Sequence, residues 1–176
     1  MEISTTRLSL RRLTPNDVTD AYVGWLNDPD VYRFLETRLS VQNKKSVLDF
    51  VAEKAASDNE FLFGMFLRDS GRHIGNIKVG PIHRHHKVAD VSLLIGERDC
   101  WGKGYAAEAI TAVSRHAFEK LGVAKLSAGM YVANEGSRRA FLKAGYRQEG
   151  LRRAHYESED GRTDLVEVGA LPGEIT

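Results

Sequence analysis

The segment that most restricts the fold of this chain is a glycine-containing run from Cys100 to Ala109, which reads Cys-Trp-Gly-Lys-Gly-Tyr-Ala-Ala-Glu-Ala. It follows a predicted strand at 88–95 and opens an amphipathic pattern at 105–121, typical of a helix. Glycines permit tight or positive-φ backbone, and the first helical turn offers unpaired N–H groups at the positive end of the helix dipole. The segment therefore predicts a phosphate site between strand and helix, although a turn that only starts the helix has the same local pattern.

Two well-known phosphate loops can be compared with this segment. A P-loop has four residues between its glycines and Ser or Thr after its lysine; here Gly96 and Gly102 enclose five residues and Gly104 follows Lys103. The dinucleotide fingerprint is closer, because Gly102, Gly104 and Ala107 satisfy G-x-G-x-x-A. About six residues separate the strand from the first glycine, however, where the fingerprint has almost none. A dinucleotide-binding oxidoreductase module therefore stays as an alternative.

Hydrophobic periodicity predicts the order of the remaining elements. The predicted strands are 7–13, 61–67, 73–79, 88–95, 125–132 and 162–171. The predicted helices are one that begins after Thr14 and Pro15, then 31–36, 43–57, 105–121 and 134–144. Without an internal repeat or a linker, this order predicts one domain over residues 1–176. The expected fold class is α/β, with one mixed sheet and helices on both faces.

Composition excludes several classes of function. The 25 basic and 24 acidic side chains give a formal net charge of +1, so a general basic surface for nucleic acid is not expected. No apolar stretch approaches the ~20 residues that cross a bilayer, and the N-terminus lacks the pattern of a signal peptide, so no membrane association is expected. Cys100 is the single cysteine. No intrachain disulfide can form, and a cytoplasmic location is expected.

Two other groups of reactive side chains are interpreted as structural. Cys100 has no base at a known spacing and is expected to be a buried thiol. The run from His83 to Lys87, His-Arg-His-His-Lys, has no acidic or cysteine partner beside it, so we expect a solvated hairpin turn and no metal site. A serine hydrolase is not supported, because the chain contains no G-x-S-x-G elbow.

The glycine segment resembles motif A of the GNAT N-acetyltransferases, in which Gln or Arg is followed by two residues, Gly, one residue and Gly or Ala. Gly104 and Ala106 match, while Trp101 replaces the first residue, as in the subgroup that resembles ribosomal-protein-alanine N-acetyltransferases. Asn134 and Ser137, followed by a segment ending in Gly-Tyr at 145–146, resemble a second motif of the family. The run 25–31, Trp-Leu-Asn-Asp-Pro-Asp-Val, resembles a third, so the resemblance covers nearly the whole chain in the right order.

This resemblance implies a GNAT fold whose single mixed, mostly antiparallel sheet is splayed at its centre, near the end of the 88–95 strand, to admit acetyl-CoA. The glycine loop and helix start would hold the pyrophosphate, and the end of the preceding strand would pair with the pantetheine arm. A homodimer is expected on the same ground. The implied acetyl-CoA contacts are Leu94, Ile95, Trp101, Gly102, Lys103, Gly104, Tyr105, Ala106, Asn134 and Arg138.

The resemblance implies direct transfer of acetyl to a primary amine, with no acyl-enzyme. Asp90 and His155 are the candidate general bases, and His155 has a side-chain pKa suited to the role. Ser137 matches a serine proposed to lie near the sulfur of the donor. Phe141 occupies the position where many relatives carry a tyrosine that acts as general acid. A non-catalytic, CoA-binding relative therefore stays as a second alternative.

The acceptor is expected to bind between residues 25–36 and a loop at 154–160. It is either the α-amine of a protein N-terminus or a small-molecule amine, such as an amino sugar on a nucleotide or a polyamine. A polyamine would favour an acidic pocket, to which Glu157, Glu159 and Asp160 would contribute. The His-Arg run at 83–87 favours an anionic acceptor instead.

Overall fold

The computed structural model describes residues 1–158 and 161–176. Its strands form one eight-stranded sheet in the order β1-β2-β3-β4-β5-β6-β8-β7. The strands are β1 (Glu2–Ser4), β2 (Leu8–Arg12), β3 (Phe61–Leu67), β4 (His73–His83), β5 (Val88–Ile95), β6 (Lys125–Tyr131), β7 (Arg147–Ser158) and β8 (Gly161–Ala170). Within the described chain, the β5–β6 pair is parallel and the other six pairs are antiparallel.

The described residues also form five α-helices around this sheet. They are α1 (Asp20–Trp25), α2 (Pro29–Tyr32), α3 (Lys44–Ala56), α4 (Tyr105–Lys120) and α5 (Glu135–Lys143). The side chain of the N-cap residue accepts a hydrogen bond at the start of several of them. The side chains of Thr19 and Asn43 accept from backbone N–H groups at the starts of α1 and α3, which satisfies donors that a helix leaves unpaired. None of the helices placed by the structure is long and apolar enough to cross a membrane.

The predicted α/β class and mixed sheet are confirmed, and several boundaries are corrected. The strands β1 and β7 were not predicted, because β1 is only three residues long and β7 is an exposed edge strand without apolar alternation. In the expected helix 31–36, α2 ends at Tyr32 and a 3₁₀ turn follows at Glu36–Leu39. The expected loop at 154–160 is wrong for 154–158, which belong to β7; Glu159 and Asp160 lie outside the described residues.

Apolar side chains are buried on both faces of the sheet. On one face, the apolar side of α4, with Ile110 and Val113, packs with Phe141 of α5 against the strands. On the other face, Trp25 of α1 and Val51 of α3 pack against the sheet. This two-sided burial confirms the prediction of helices on both faces and explains the nearly continuous apolar sequence of β3.

The sheet is splayed between β5 and β6, near the end of β5, as predicted. Pairing between β5 and β6 covers only Val88–Asp90 and Lys125–Ser127, although the strands run on to Ile95 and Tyr131. The register of β4 shifts between Val79 and Ile82, directly opposite the part of β5 where the gap opens. Because a bulge bends and twists its strand, it can turn the second half of β5 away from β6.

Replacing Gly96 by alanine is expected to loosen the end of β5, because a Cβ there would overlap the indole of Trp25. That indole is buried and donates from Nε1 to Glu97 at 2.9 Å. Gly96→Ala should lower the free energy of unfolding by about 1–3 kcal/mol, measured by urea denaturation. In the control Gly24→Ala, the new Cβ meets nothing within 4 Å. Because alanine favours a helix more than glycine does, the free energy of unfolding should stay the same or rise by up to about 1 kcal/mol. Equal losses in both variants would contradict this account.

Candidate active site

The glycine loop leads directly into the first turn of α4 and leaves the backbone N–H groups of that turn uncapped by a side chain of the N-cap residue. Gly102 and Gly104 adopt φ angles of 72° and 85°, a region that residues with a Cβ rarely occupy. Gly104 is the N-cap of α4 and, having no side chain, supplies no capping hydrogen bond to the helix start. The N–H groups of the first turn have no intrahelical partners, and with the helix dipole they form a site for an anion.

Arg7 holds this loop from the opposite side. Its guanidinium donates to the carbonyl of Lys103 at 2.9 Å and to Glu108 at 2.7 Å, and it lies over the ring of Tyr105 at 4.4 Å. Thr5 also donates to Glu108, at 2.6 Å. Burial alone would raise the pKa of Glu108, but these hydrogen bonds and the charge of Arg7 hold it below its usual value. The carboxylate therefore stays charged and fixes the loop; no sequence motif indicated this contact.

A first cavity, here called the loop cavity, lies beside the glycine loop and has a volume of about 390 Å³. Its walls come from α2, the end of β5, the glycine loop and the start of α5. Of the predicted cofactor contacts, the structure places the following along it: Leu94, Ile95, Trp101, Gly102, Gly104, Tyr105, Ala106 and Asn134. Lys103 and Arg138 do not line it; Lys103 is exposed and Arg138 donates to Gln148 at 3.3 Å.

The open edge of β5 forms part of this cavity. Gly96 donates to Ile74 at 2.9 Å across the β4–β5 ladder. Since residues of an antiparallel strand face the partner alternately, the backbone groups of Leu93 and Ile95 face the gap, while those of Leu94 face β4. The indole of Trp101 already donates to the carbonyl of Ile95 at 2.9 Å. The backbone of Leu93 and the N–H of Ile95 are therefore the groups of β5 that are free to pair with an added strand, and the expected pairing at Leu94 and Ile95 stays a prediction.

A second cavity, here called the aromatic cavity, lies on the other side of the gap and has a volume of about 570 Å³. Among the residues described along its wall, Glu36 is the one carboxylate and Lys78 the one cation. The wall residues Leu26 and 34–36, together with Tyr156, fall within the two segments, 25–36 and 154–160, where the acceptor is expected to bind. The aromatic side chains that line it are Tyr22, Phe34, Phe50, Tyr131, Phe141 and Tyr156.

Glu36 is held by a small polar network at this wall. The hydroxyl of Tyr131 donates to Oε1 of Glu36 at 2.8 Å, and the ring of Tyr131 stacks on Tyr156 with centroids 4.6 Å apart. Arg38 lies over the same ring at 5.2 Å. Burial first, and then the hydrogen bond to Glu36, raise the pKa of Tyr131 above its usual value despite Arg38. Tyr131 therefore keeps its proton and orients the Glu36 carboxylate.

The two cavities meet at a junction, which has six residues in both walls: Phe34, Leu35, Leu93, Leu94, Asn134 and Ser137. Asn134 caps α5 by accepting from the backbone N–H of Ser137 at 3.2 Å. Its interpretation as an N-cap is thus confirmed, and it lies in the cavity wall at the same time. Ser137, predicted near the reacting sulfur, is placed at this junction by the same cap.

The two candidate bases lie outside both cavity walls. Asp90 is two residues before Ser92 on one face of β5, and Ser92 lines the aromatic cavity. Partial burial raises the pKa of Asp90, opposed by Lys78. His155 is exposed, and its ring packs edge-on against Tyr156 at 4.9 Å. Neither side chain is in contact with the junction, so both assignments stay predictions.

The remaining reactive groups do not form a second catalytic centre. Cys100 is 4% exposed, and burial raises the pKa of its thiol, which makes it a poor nucleophile. His83, the last residue of β4, and His86 of the following turn have ring centroids 4.6 Å apart and planes tilted by 31°. Over the ranges 1–158 and 161–176, no group of three or more His, Cys, Asp or Glu side chains could hold a metal ion.

Comparison with known proteins agrees with this architecture. Residues 7–147 match the model of the acetyltransferase (GNAT) domain. The chain is 30% identical over 156 residues to the uncharacterized N-acetyltransferase YoaA of Bacillus subtilis (strain 168), covering 87% of this chain and 86% of that protein. The dinucleotide alternative is not supported, because the sheet is not the parallel, doubly wound sheet that such a module requires.

Solved structures share the fold over nearly the full length. A spermidine N-acetyltransferase from Vibrio cholerae, in complex with CoA and spermine, superposes with a TM-score of 0.85 at 17% identity, covering 97% of this chain and 98% of that one. RimL, a ribosomal L7/L12 α-N-protein acetyltransferase in complex with coenzyme A, gives 0.86 at 14% identity, with coverage of 97% and 98%. With its domain match and its curated relative, the chain belongs to the GNAT acetyltransferase family and is an acyltransferase.

Proposed function

We propose that the protein transfers acetyl from acetyl-CoA directly to a primary amine. The observation that carries this proposal is the meeting of two cavities in the gap between β5 and β6, one beside the glycine loop and one lined by aromatic rings and Glu36. Two reactants entering from opposite sides would meet at the junction. Such positioning supplies much of the rate of a direct transfer.

The loop cavity suits acetyl-CoA in its chemistry. The uncapped start of α4 offers N–H groups to a pyrophosphate. The backbone of Leu93 and the N–H of Ile95 face the gap, where an extended amide-containing arm can add as a strand. Solved structures of two relatives contain CoA at 14% and 17% identity, which supports the assignment.

Acetyl-CoA, when bound, supplies an acetyl group activated as a thioester. On the other side of the gap, Glu36 attracts the ammonium form of the acceptor, in a wall that also contains Tyr22, Tyr131 and Phe34. Ser137 holds a hydroxyl proton at the junction, where the departing sulfur needs one. Asp90 or His155 would accept the proton of the amine through water.

Two classes of acceptor fit this site: the α-amine of a protein N-terminus and a small-molecule amine. RimL is named for the first class, and the spermidine N-acetyltransferase for the second. Of the residues predicted to attract a polyamine, Glu157 is exposed on β7. A homodimer and a cytoplasmic location remain expectations from the sequence.

Acetyl-CoA binding is expected to depend on Gly104. In Gly104→Glu, a side chain at positive φ strains the start of α4 and sets a carboxylate at the anion site. We expect affinity for acetyl-CoA to fall at least about 100-fold, which is about 2.7 kcal/mol, measured by calorimetric titration. Gly122→Glu is the control, because Gly122 has φ 70° beyond the far end of α4 and open space around it. Unchanged affinity in Gly104→Glu would refute the phosphate assignment.

Amine recognition is expected to depend on the charge of Glu36. Glu36→Gln keeps the shape and the hydrogen bond from Tyr131 but removes the attraction for an ammonium group. The KM for amine acceptors should rise about tenfold, while the KM for acetyl-CoA stays unchanged, measured by release of free CoA. The exposed Asp49, paired with Lys45 on α3, provides the control Asp49→Asn. A rise in both KM values would instead indicate a general loss of structure.

The pH dependence of turnover is expected to separate the two candidate bases. A base must be ionised to accept a proton, so activity should rise with pH through the raised pKa of Asp90. Asp90→Asn should remove this acidic limb and lower kcat/KM about 100-fold. His155→Ala should change kcat/KM less, because His155 is exposed on the edge strand β7, whereas Asp90 is partly buried two residues before Ser92 of the aromatic cavity. Full turnover in Asp90→Asn would exclude Asp90 as the base.

A further inference from the structure

The buried side-chain amide of Asn76, on β4, lies in the wall of the aromatic cavity. Its NH₂ group has no hydrogen-bond acceptor among the described residues. Its side chain is 3% exposed, and its Nδ2 has no partner among the residues that the structure describes. In the β4–β5 register Asn76 stands opposite Leu94, one of the six residues at the junction. The unpaired donor therefore lies in the wall next to the place where the acceptor amine would react.

The orientation of this amide follows from its neighbour His73. Nε2 of His73 lies 3.0 Å from the carbonyl oxygen of Gly75 and 2.8 Å from Oδ1 of Asn76. A carbonyl can only accept, so Nε2 must carry the proton and the atom of Asn76 that faces it must be the oxygen. Burial lowers the pKa of His73 and keeps the ring neutral. The NH₂ of Asn76 is thus directed away from His73, and it is the part of the side chain that can donate to a ligand in the cavity.

A second buried polar atom of the same cavity is also unpaired. Oγ1 of Thr37, which lies in the 3₁₀ turn beside Glu36, has no partner within the described ranges, and Thr37 lines the cavity. A buried donor without a partner costs about 1–3 kcal/mol, and native proteins leave few of them. Two such groups in one cavity wall indicate a ligand with polar atoms, and Nδ2 of Asn76, which can only donate, requires one of these atoms to be an acceptor.

The charges of the cavity indicate where that oxygen is attached. Glu36 is the one carboxylate of the described wall and lies 3.3 Å from the guanidinium of Arg38. Lys78, two residues from Asn76 on the same face of β4, is the one cation, and it donates to Glu60 at 2.6 Å. The amine would lie towards Glu36 and the oxygen towards the unpaired donor of Asn76. Apolar neighbours, among them Leu26, Val47 and Leu62, leave room for an aliphatic group.

We propose that Asn76 determines acceptor specificity by donating to a carbonyl or carboxylate oxygen close to the reacting amine, so that the protein prefers amino-acid-like amines to diamines and polyamines. This inference rests on the proposed function and narrows its acceptor. The oxygen belongs either to the carboxylate of a free amino acid or to the carbonyl of a peptide. In both cases the donor atom is Nδ2 of Asn76.

The test compares three amines that share one aliphatic chain: L-leucine, L-leucinamide and 3-methylbutylamine, which lacks the carbonyl group. The kcat/KM for each is measured by CoA release in the wild-type protein and in Asn76→Asp, which keeps the shape and the acceptor for His73 but loses the donor. Asn59→Asp is the matched control, because Asn59 also has an unpaired buried amide atom but does not line the cavity. Thermal unfolding shows whether each variant is folded.

We expect the kcat/KM for leucinamide, divided by the kcat/KM for 3-methylbutylamine, to fall about tenfold in Asn76→Asp relative to the wild type. The same ratio should stay constant in Asn59→Asp. Comparing ratios cancels the different basicities of the amines. A larger fall for leucine than for leucinamide would assign the oxygen to a free carboxylate, and the reverse to a peptide carbonyl. An unchanged ratio, or an equal loss for all three amines, would overturn the proposal.

Calorimetric titration of the same amines into protein saturated with CoA gives a second readout that does not require turnover. Stronger binding of leucinamide than of 3-methylbutylamine, lost in Asn76→Asp, would support the inference, and equal or absent binding of all three would overturn it. Failure of the proposed function has a different signature, which is no binding of acetyl-CoA and no CoA release with any amine.

Discussion

The separation of β5 from β6 is the constraint on which the site depends. The two strands pair over three residues and then run on either side of a gap, which interrupts the ladder between the fifth and sixth strands of an eight-stranded sheet. Backbone groups in that position would be unsatisfied in a closed core. The sheet tolerates them because β4 and β8 hold β5 and β6 from their outer sides, and because the gap opens into cavities where a ligand can pair with them.

The glycine loop is useful only if α4 is held in place against the sheet. The interior of α4 provides this through apolar burial, with Ile110, Val113 and Ala117 fully buried. At the first turn of α4, hydrogen bonds from Arg7 and Thr5 to Glu108 add to this burial. Arg7 also binds the carbonyl of Lys103, so the loop carbonyl faces the protein while the N–H groups of the helix start stay available. Preorganisation of this kind lowers the cost of ordering a site upon binding.

The features that the sequence predicts well are those set by local chemistry. Gly102 and Gly104 need positive φ, Asn134 caps a helix, and the apolar run of β3 needs burial on two faces; each of these shows in a few adjacent residues. The edge strand β7 was missed because an exposed strand needs no apolar alternation, and its bonds to β8 are not visible in its own sequence. The clamp of Glu108 by Arg7 joins residues 101 positions apart, beyond the reach of any local pattern.

The acceptor side shows the same limit for a more specific reason. Glu36 falls within a segment predicted as a helix, and its importance comes from Tyr131, 95 positions away, which donates to it. Asn76 stands in an apolar strand where one amide could equally be a satisfied core residue. Only the position of His73, three residues earlier, decides which of its two polar atoms is paired. Recognition of a cofactor by backbone N–H groups leaves a glycine pattern in the sequence, whereas recognition of an acceptor by side chains from separate elements leaves none. The donor half of such a site can therefore be predicted from sequence, and the acceptor half has to be derived from hydrogen bonds in the folded chain.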